Sequence, residues 1–288
     1  MALGVRRLTH DDVRVSARHP YLDVPLPFVM AHRGHSPAGL ENSMAAFAEA
    51  VRLGVTHLET DVRATADGVL VAFHDARLDR VTGARGRVAD LDWETVRRAR
   101  IGGSEPIPTL EDVLGAWPDV RVNVDLKSVG AVEPFVQAVR RTRSAHRVCV
   151  ASFSDRRRRD AVRALRVPSG TPAPDGAPAW SLGLGPTAAV ALAARLGASG
   201  PGRRAAADLV RRALRGAVAL QVPSRAGPLP VVTADLLDGV HAAGAQVHVW
   251  TVDDPGRMSE LLRLGVDAII TNRSDLALPL TAAHRGAL

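Results

Sequence analysis

Eight short runs of β-forming residues, at 28–31, 56–62, 121–127, 148–151, 179–184, 217–222, 246–252 and 267–271, are separated by stretches with helical apolar spacing. Strands that alternate with helices pair in parallel, and eight of them close on themselves as a (β/α)8 TIM barrel. The alternation therefore predicts an α/β fold built from crossover connections. One helix begins at Asn42 or Ser43 as N-cap, carries Met44, Phe47, Ala48 and Val51 on its apolar side and stops at Gly54. Others are expected at about 131–143, through Val162 and Leu165, and at 187–196, 203–215, 235–243 and 255–264.

A chain of 288 residues is enough for one such barrel, and no shift in composition divides it. Residues 1–27 read as an irregular leader that closes the barrel bottom, and residues 28–288 as one domain. A small insertion after strand 2, about 76–118, is longer than a crossover needs. Gly83, Gly86, Gly102, Gly103, Pro106 and Pro108 break it into turns and two short helices. An insertion at this face shapes the substrate site. Residues 167–178 are too rich in proline and glycine for regular structure.

Chemistry-bearing residues gather at strand ends between Ala31 and Asp75. The first strand runs into His32-Arg33-Gly34. In the second, Glu59 and Asp61 are two apart, so the pleat sends both carboxylates to one face, where they repel unless a cation lies between them. Hard oxygen donors of this kind suit Mg2+ or Ca2+ better than zinc. Asp67-Gly68 turns the chain, a short strand returns, and His74-Asp75 delivers a second imidazole. On the third strand Asn123, Asp125 and Lys127 share a face. Lys127 is the only lysine, against 36 arginines, which points to a requirement for a compact ammonium where a broad guanidinium would not fit.

This set, His32-Arg33-Gly34, Glu41-Asn42-Ser43, Glu59-x-Asp61, Asp67-Gly68 and His74-Asp75, resembles the glycerophosphodiester phosphodiesterases, of the phosphatidylinositol phosphodiesterase-like TIM-barrel superfamily, in order and spacing. The last two strands, with His248-Val-Trp-Thr-Val252 and Val266-Asp-Ala-Ile-Ile-Thr-Asn272, extend the likeness to about 28–275. The resemblance implies metal-dependent hydrolysis of a small glycerophosphodiester to sn-glycerol 3-phosphate and an alcohol. It implies that His32 and His74 are the acid–base pair, and that Glu59, Asp61 and Asp125 hold one divalent cation, Mg2+ or Ca2+, with Mn2+ also suitable. Arg33 and Lys127 then contact the phosphate, Trp250 lines the glycerol pocket, and Glu41 binds the metal or orients His32. The family more often has glutamate where this chain has Asp125, which is one methylene shorter. Two other readings keep the barrel: a phospholipase D-like enzyme acting on lysophospholipids, and a phosphodiester-binding barrel without chemistry.

Composition argues against other partners. The formal charge is +7, but the arginines are dispersed and their densest run, Arg156 to Arg159, is bracketed by Asp155 and Asp160 as at a solvated helix start. Aromatic residues make up 3% of the chain, too few for a base-stacking platform, so no nucleic-acid partner is expected. No apolar run is long enough to span a bilayer, and the N-terminal residues lack an apolar h-region, so the expectation is a cytoplasmic protein without stable membrane insertion. Cys149, the single cysteine, lies in an apolar run and reads as a small buried hydrophobe.

Overall fold

A computed structural model of the chain describes residues 19–37, 39–166, 178–182, 187–190, 203–214 and 216–287. The strands are β1 (Phe28–His32), β2 (His57–Ala64), β3 (Leu70–Ala72), β4 (Arg100–Ile101), β5 (Glu105–Pro106), β6 (Arg121–Leu126) and β7 (Val148–Ala151). They continue with β8 (Ala179–Trp180), β9 (Ala219–Pro223), β10 (Arg225–Ala226), β11 (Leu229–Pro230), β12 (Gln246–Trp250) and β13 (Ala268–Thr271). Eight of them form one sheet in the order β8-β7-β6-β2-β1-β13-β12-β9, every pair parallel. A parallel bridge from Ser181 to Ala219 joins its two ends, with Val218 N donating to Trp180 O at 2.9 Å, so the sheet is the expected barrel.

Period-two alternation decides which side chains enter it. Val29, Ala31, Leu58, Val62, Val122, Val124, Val148, Val150, Val247, Val249 and Ile269 face outward into the apolar layer shared with the surrounding helices. Phe28, Met30, Cys149, Ala268 and Ile270 belong to a separate interior cluster. The same alternation sends His32, Glu59, Asp61, Asn123, Asp125 and His248 inward. Tyr21 and Leu22 join the interior cluster from below, and Arg121 holds their segment by donating to Pro20 O and Asp23 O. Residues 1–18 of the expected leader lie outside the described residues.

The helices are α1 (Met44–Arg52), α2 (Trp93–Val96), α3 (Leu110–Ala116), α4 (Val132–Arg141) and α5 (Asp155–Arg166). After them come α6 (Arg203–Leu214), α7 (Ala234–Ala242), α8 (Pro255–Leu264) and α9 (Ser274–Gly286). Ser43 is the N-cap of α1, its hydroxyl accepting from Ala46 N at 3.1 Å. The buried stripe of α1 is Ala46, Phe47 and Ala50, while Ala48 faces solvent, a rotation of the expected apolar side. Arg158 also departs from the expected solvated helix start, since it is buried and bonded to Asp155. The C-terminal helix α9 and the β10–β11 ribbon have no counterpart among the expected elements. The expected loop falls outside the described residues over 167–177, as does the expected helix at 187–196 beyond residue 190.

The insertion after β2 has its own small core. Val71 and Phe73 pack with Leu78, Val88, Val96, Ala99, Ile101 and Ile107, and the β4–β5 ribbon and α2 close over them. Among the described residues, no helix is long and apolar enough to cross a membrane.

Candidate active site

The C-terminal ends of the barrel strands surround a cavity of about 240 Å³. His32, Arg33, Glu59, Asp61, His74, Asp125, Lys127 and Trp250 all line it, so eight of the nine expected site residues converge there. Glu41, the ninth, stands behind Arg33. His35 packs beside α9, its Nδ1 4.0 Å from Asp275.

The turn that ends β1 is shaped by two unusual backbone positions. Arg33 has φ 55° and Gly34 φ 83°. At Gly34 a β-carbon would lie 2.7 Å from the backbone of Ala46, so glycine is required for α1 to approach this closely. His32 then leaves the strand with Nδ1 2.9 Å from Asn272 Oδ1. Asn272 donates its Nδ2 and backbone N–H to Asp253, both at 2.8 Å. With its amide nitrogen committed there, Asn272 presents oxygen to His32, so His32 Nδ1 carries the proton and Nε2 keeps its lone pair. Burial, aided by the adjacent Arg33 guanidinium, lowers the His32 pKa below the ordinary imidazole value. Asn272 thus makes the orienting bond considered for Glu41.

His74 is held in the same manner. Its Nδ1 lies 2.7 Å from Asp75 Oδ1, and Arg63 Nε donates to its carbonyl at 2.8 Å. Both imidazoles are therefore anchored through Nδ1, leaving Nε2 for the cavity.

The carboxylates lie between fixed cations. Asp61 Oδ2 is 2.8 Å from Arg33 Nε, Asp61 Oδ1 is 2.8 Å from Lys127 Nζ, and Lys127 Nζ is 2.7 Å from Asp125 Oδ2. Burial raises the Asp61 pKa, but Lys127 and Arg33 outweigh it and leave the group below the usual range. Glu59, deeply buried and beside Asp61, is pushed well above its usual range. Burial raises Asp125 as well. Asn42, at φ 59°, fixes Asp61 by donating Nδ2 to Oδ2 at 3.3 Å and accepting from Thr60 Oγ1 at 2.7 Å. Among the described residues no three His, Cys, Asp or Glu side chains form a ready metal cage. The Lys127 ammonium instead bridges Asp61 and Asp125. The donor set is still that of a hard cation, and Asp125 Oδ1 is buried with no hydrogen-bond partner.

Sequence reasoning did not assign Asn272, Asp253 or Phe153 to the site. Asn272 directly follows β13, beside His32 at the end of β1, and this polar residue beyond an apolar strand was the available signal. Phe153 lies 5.8 Å from the Trp250 ring, edge to face, and completes the cavity wall.

A parallel barrel with two imidazoles, fixed cations and carboxylates meeting at its C-terminal mouth has the build of a TIM-barrel enzyme. Comparison with known proteins narrows this class. The model of the glycerophosphoryl diester phosphodiesterase family matches residues 32–276. A Mycobacterium tuberculosis protein named "Probable glycerophosphodiester phosphodiesterase 2" is 48% identical over 250 residues, 86% of this chain and 88% of that protein. A glycerophosphodiester phosphodiesterase of Caldanaerobacter subterraneus is 29% identical over 266 residues, 88% of this chain and 96% of its own. Among solved structures, a glycerophosphodiester phosphodiesterase from Agrobacterium tumefaciens superposes with TM-score 0.66 at 22% identity, covering 88% of this chain and all of the other. An Oleispira antarctica phosphodiesterase, solved with the product sn-glycerol-3-phosphate, gives TM-score 0.65 at 21% identity over 88% of this chain and 96% of its own. The chain belongs to the glycerophosphoryl diester phosphodiesterase family and is a phosphodiesterase.

Proposed function

We propose that this barrel hydrolyses glycerophosphodiesters to sn-glycerol 3-phosphate and an alcohol, with His32 and His74 exchanging the protons and one divalent cation held by Glu59, Asp61 and Asp125. The observation that carries the reading is the matched pair of imidazoles, each tied through Nδ1 to a polar partner and each lining the same cavity. The name of the Mycobacterium tuberculosis relative and the product bound to the Oleispira antarctica protein support the substrate.

Displacement at phosphorus needs a proton taken from the nucleophile and another given to the departing alkoxide. Neutral His32 is suited to the first task and His74 to the second, with Asp75 steadying the imidazolium. Arg33 and Lys127 supply positive charge beside the phosphoryl oxygens. Mg2+, Ca2+ or Mn2+ would add charge neutralisation at the same oxygens.

Release of sn-glycerol 3-phosphate should stop on chelation and return with Mg2+, Ca2+ or Mn2+. Binding of Mn2+, followed by electron paramagnetic resonance, should weaken in Asp125→Asn. Full turnover after thorough chelation would remove the cation from the mechanism, and unchanged Mn2+ affinity in the variant would remove Asp125 from its ligands.

One observation favours a lysophospholipid as a second substrate class. Phe153, Leu182, Pro223 and Trp250 make one wall of the cavity apolar, and Phe153 is 51% exposed at its mouth. The ratio of kcat/KM on a monoacyl and an unacylated glycerophosphodiester decides between the two.

A further inference from the structure

We infer that Arg80, which belongs to the insertion, is a positioning residue that locks the proton-transfer side of the site to its phosphate side. The inference rests on the roles proposed above for His74 and Arg33.

Arg80 lies in a turn of the insertion. Leu78 is buried in the core of the insertion, and its N–H donates to Gly86 O at 3.0 Å. Thr82 returns to Leu78 O through both N–H and Oγ1, at 3.1 and 2.7 Å, and Gly102 N donates to Val81 O at 2.8 Å. Buried residues on either side fix the turn, and Arg80 leaves it toward the barrel mouth.

Its guanidinium spans two carboxylates. Nε donates to Asp75 Oδ2 at 2.5 Å, Nη2 to Glu41 Oε1 at 2.5 Å and Nη1 to Glu41 Oε2 at 3.3 Å. Each carboxylate serves a site residue with its remaining capacity. Asp75 Oδ1 holds His74 Nδ1 at 2.7 Å, and Glu41 Oε1 accepts from Arg33 Nη1 at 2.9 Å. One planar cation thus fixes both the imidazole and the guanidinium that face the cavity. These contacts use three separate nitrogens of the planar fork, which a single ammonium does not offer. The Arg80 side chain is 50% exposed, so the bridge adds little to global stability. Its effect belongs in the rate.

The test compares Arg80→Ala with Arg77→Ala, a control on the same segment whose guanidinium pairs with Asp79. Arg80→Ala should lose about ten- to a hundredfold in kcat/KM, the usual cost of removing a group that orients a site residue. Its thermal midpoint should stay with the control. Millimolar guanidinium should restore part of the lost rate and methylammonium should not, and Arg80→Lys should remain impaired. Combined with Asp75→Asn the loss should be less than additive in kcat, and combined with Glu41→Gln less than additive in KM. Wild-type kcat/KM in Arg80→Ala, an equal loss in the control, no rescue by guanidinium, or additivity in both pairs overturns the inference. His74→Ala separates the two failures. If it is inactive while Arg80→Ala is normal, only the inference falls; if it turns over normally, the reading of the site falls as well.

Discussion

The barrel mouth has two unlike arcs. On β1, β2 and β6 the inward positions are His32, Glu59, Asp61 and Asp125, with Arg33 and Lys127 in the turns that follow. On β7, β9 and β12 they are Ala151, Gln221, Pro223 and Trp250, with Ser181 just beyond β8 and Phe153 just beyond β7. Charge collects on one arc because a buried charge is tolerated only beside a partner: the register that sets Asp61 opposite Asp125 lets the Lys127 ammonium reach both carboxylates, and it sets His32 beside Glu59. The small residues of the other arc leave the barrel unfilled, and the cavity is the space they do not occupy. Chemistry and room are thus divided between the two sides.

Breaking the charged arc should have the largest effect. Alanine at His32 or His74 should cut kcat by about a hundredfold or more, as expected for a general acid or base. Steady-state kinetics on a glycerophosphodiester check this, and a loss confined to KM would assign the imidazole to binding. Lys127→Arg comes next, with kcat/KM down by about tenfold or more even though the charge is kept. The ammonium fits within 2.8 Å of both Asp61 and Asp125, where a wider planar group has to displace one of them. Near-normal turnover in this variant would show that the arc needs charge alone.

Much of this division was legible in the sequence, for a physical reason. A strand residue's side is fixed by parity, so Glu59 with Asp61, and Asn123 with Asp125 and Lys127, could be placed on one face without a structure. The barrel followed from the alternation of strands and helices, and the expected helix at 255–264 coincides with α8. Pairings across the sheet were not legible. Asn272 reaches His32 because β13 lies beside β1, a contact across 240 positions that no local pattern encodes. Glu41 was recognised as part of the site, but its partner Arg80 depends on how the insertion folds back. Ala48 was placed on the buried side of α1 by apolar character alone, which cannot distinguish a small residue facing the sheet from one facing solvent.

Below the mouth the two arcs become alike, for each carries a buried imidazole. His57 on β2 and His248 on β12 are fully buried, and burial lowers their pKa values to about 3 and about 4. The unfolded chain takes up protons below about pH 6.5 that these folded groups refuse, so stability falls as pH drops. Each group contributes about 1.4 kcal/mol of destabilisation per pH unit between about 6.5 and its folded pKa. Urea unfolding measured from pH 7 to 5 should show this slope, and His57→Gln should make it shallower. An unchanged slope would mean that His57 takes up a proton inside the barrel.

The smallest effect is expected from the apolar arc, and it tests whether that arc only selects. Phe153 and Trp250 meet edge to face at 5.8 Å, and the Lys127 ammonium lies 5.4 Å from the Phe153 ring, so the two arcs touch there. An aromatic contact of this kind contributes about 0.5–1.5 kcal/mol beyond buried area, equivalent to about two- to tenfold in an equilibrium. Phe153→Ala should therefore raise KM severalfold for diesters with a bulky alcohol, and less for those with a small one, with kcat nearly unchanged. Initial-rate measurements on a series of alcohols report both constants. If the variant instead loses kcat uniformly across the series, Phe153 acts through Lys127 on the phosphoryl group, and the apolar arc belongs to the chemistry it was taken only to enclose.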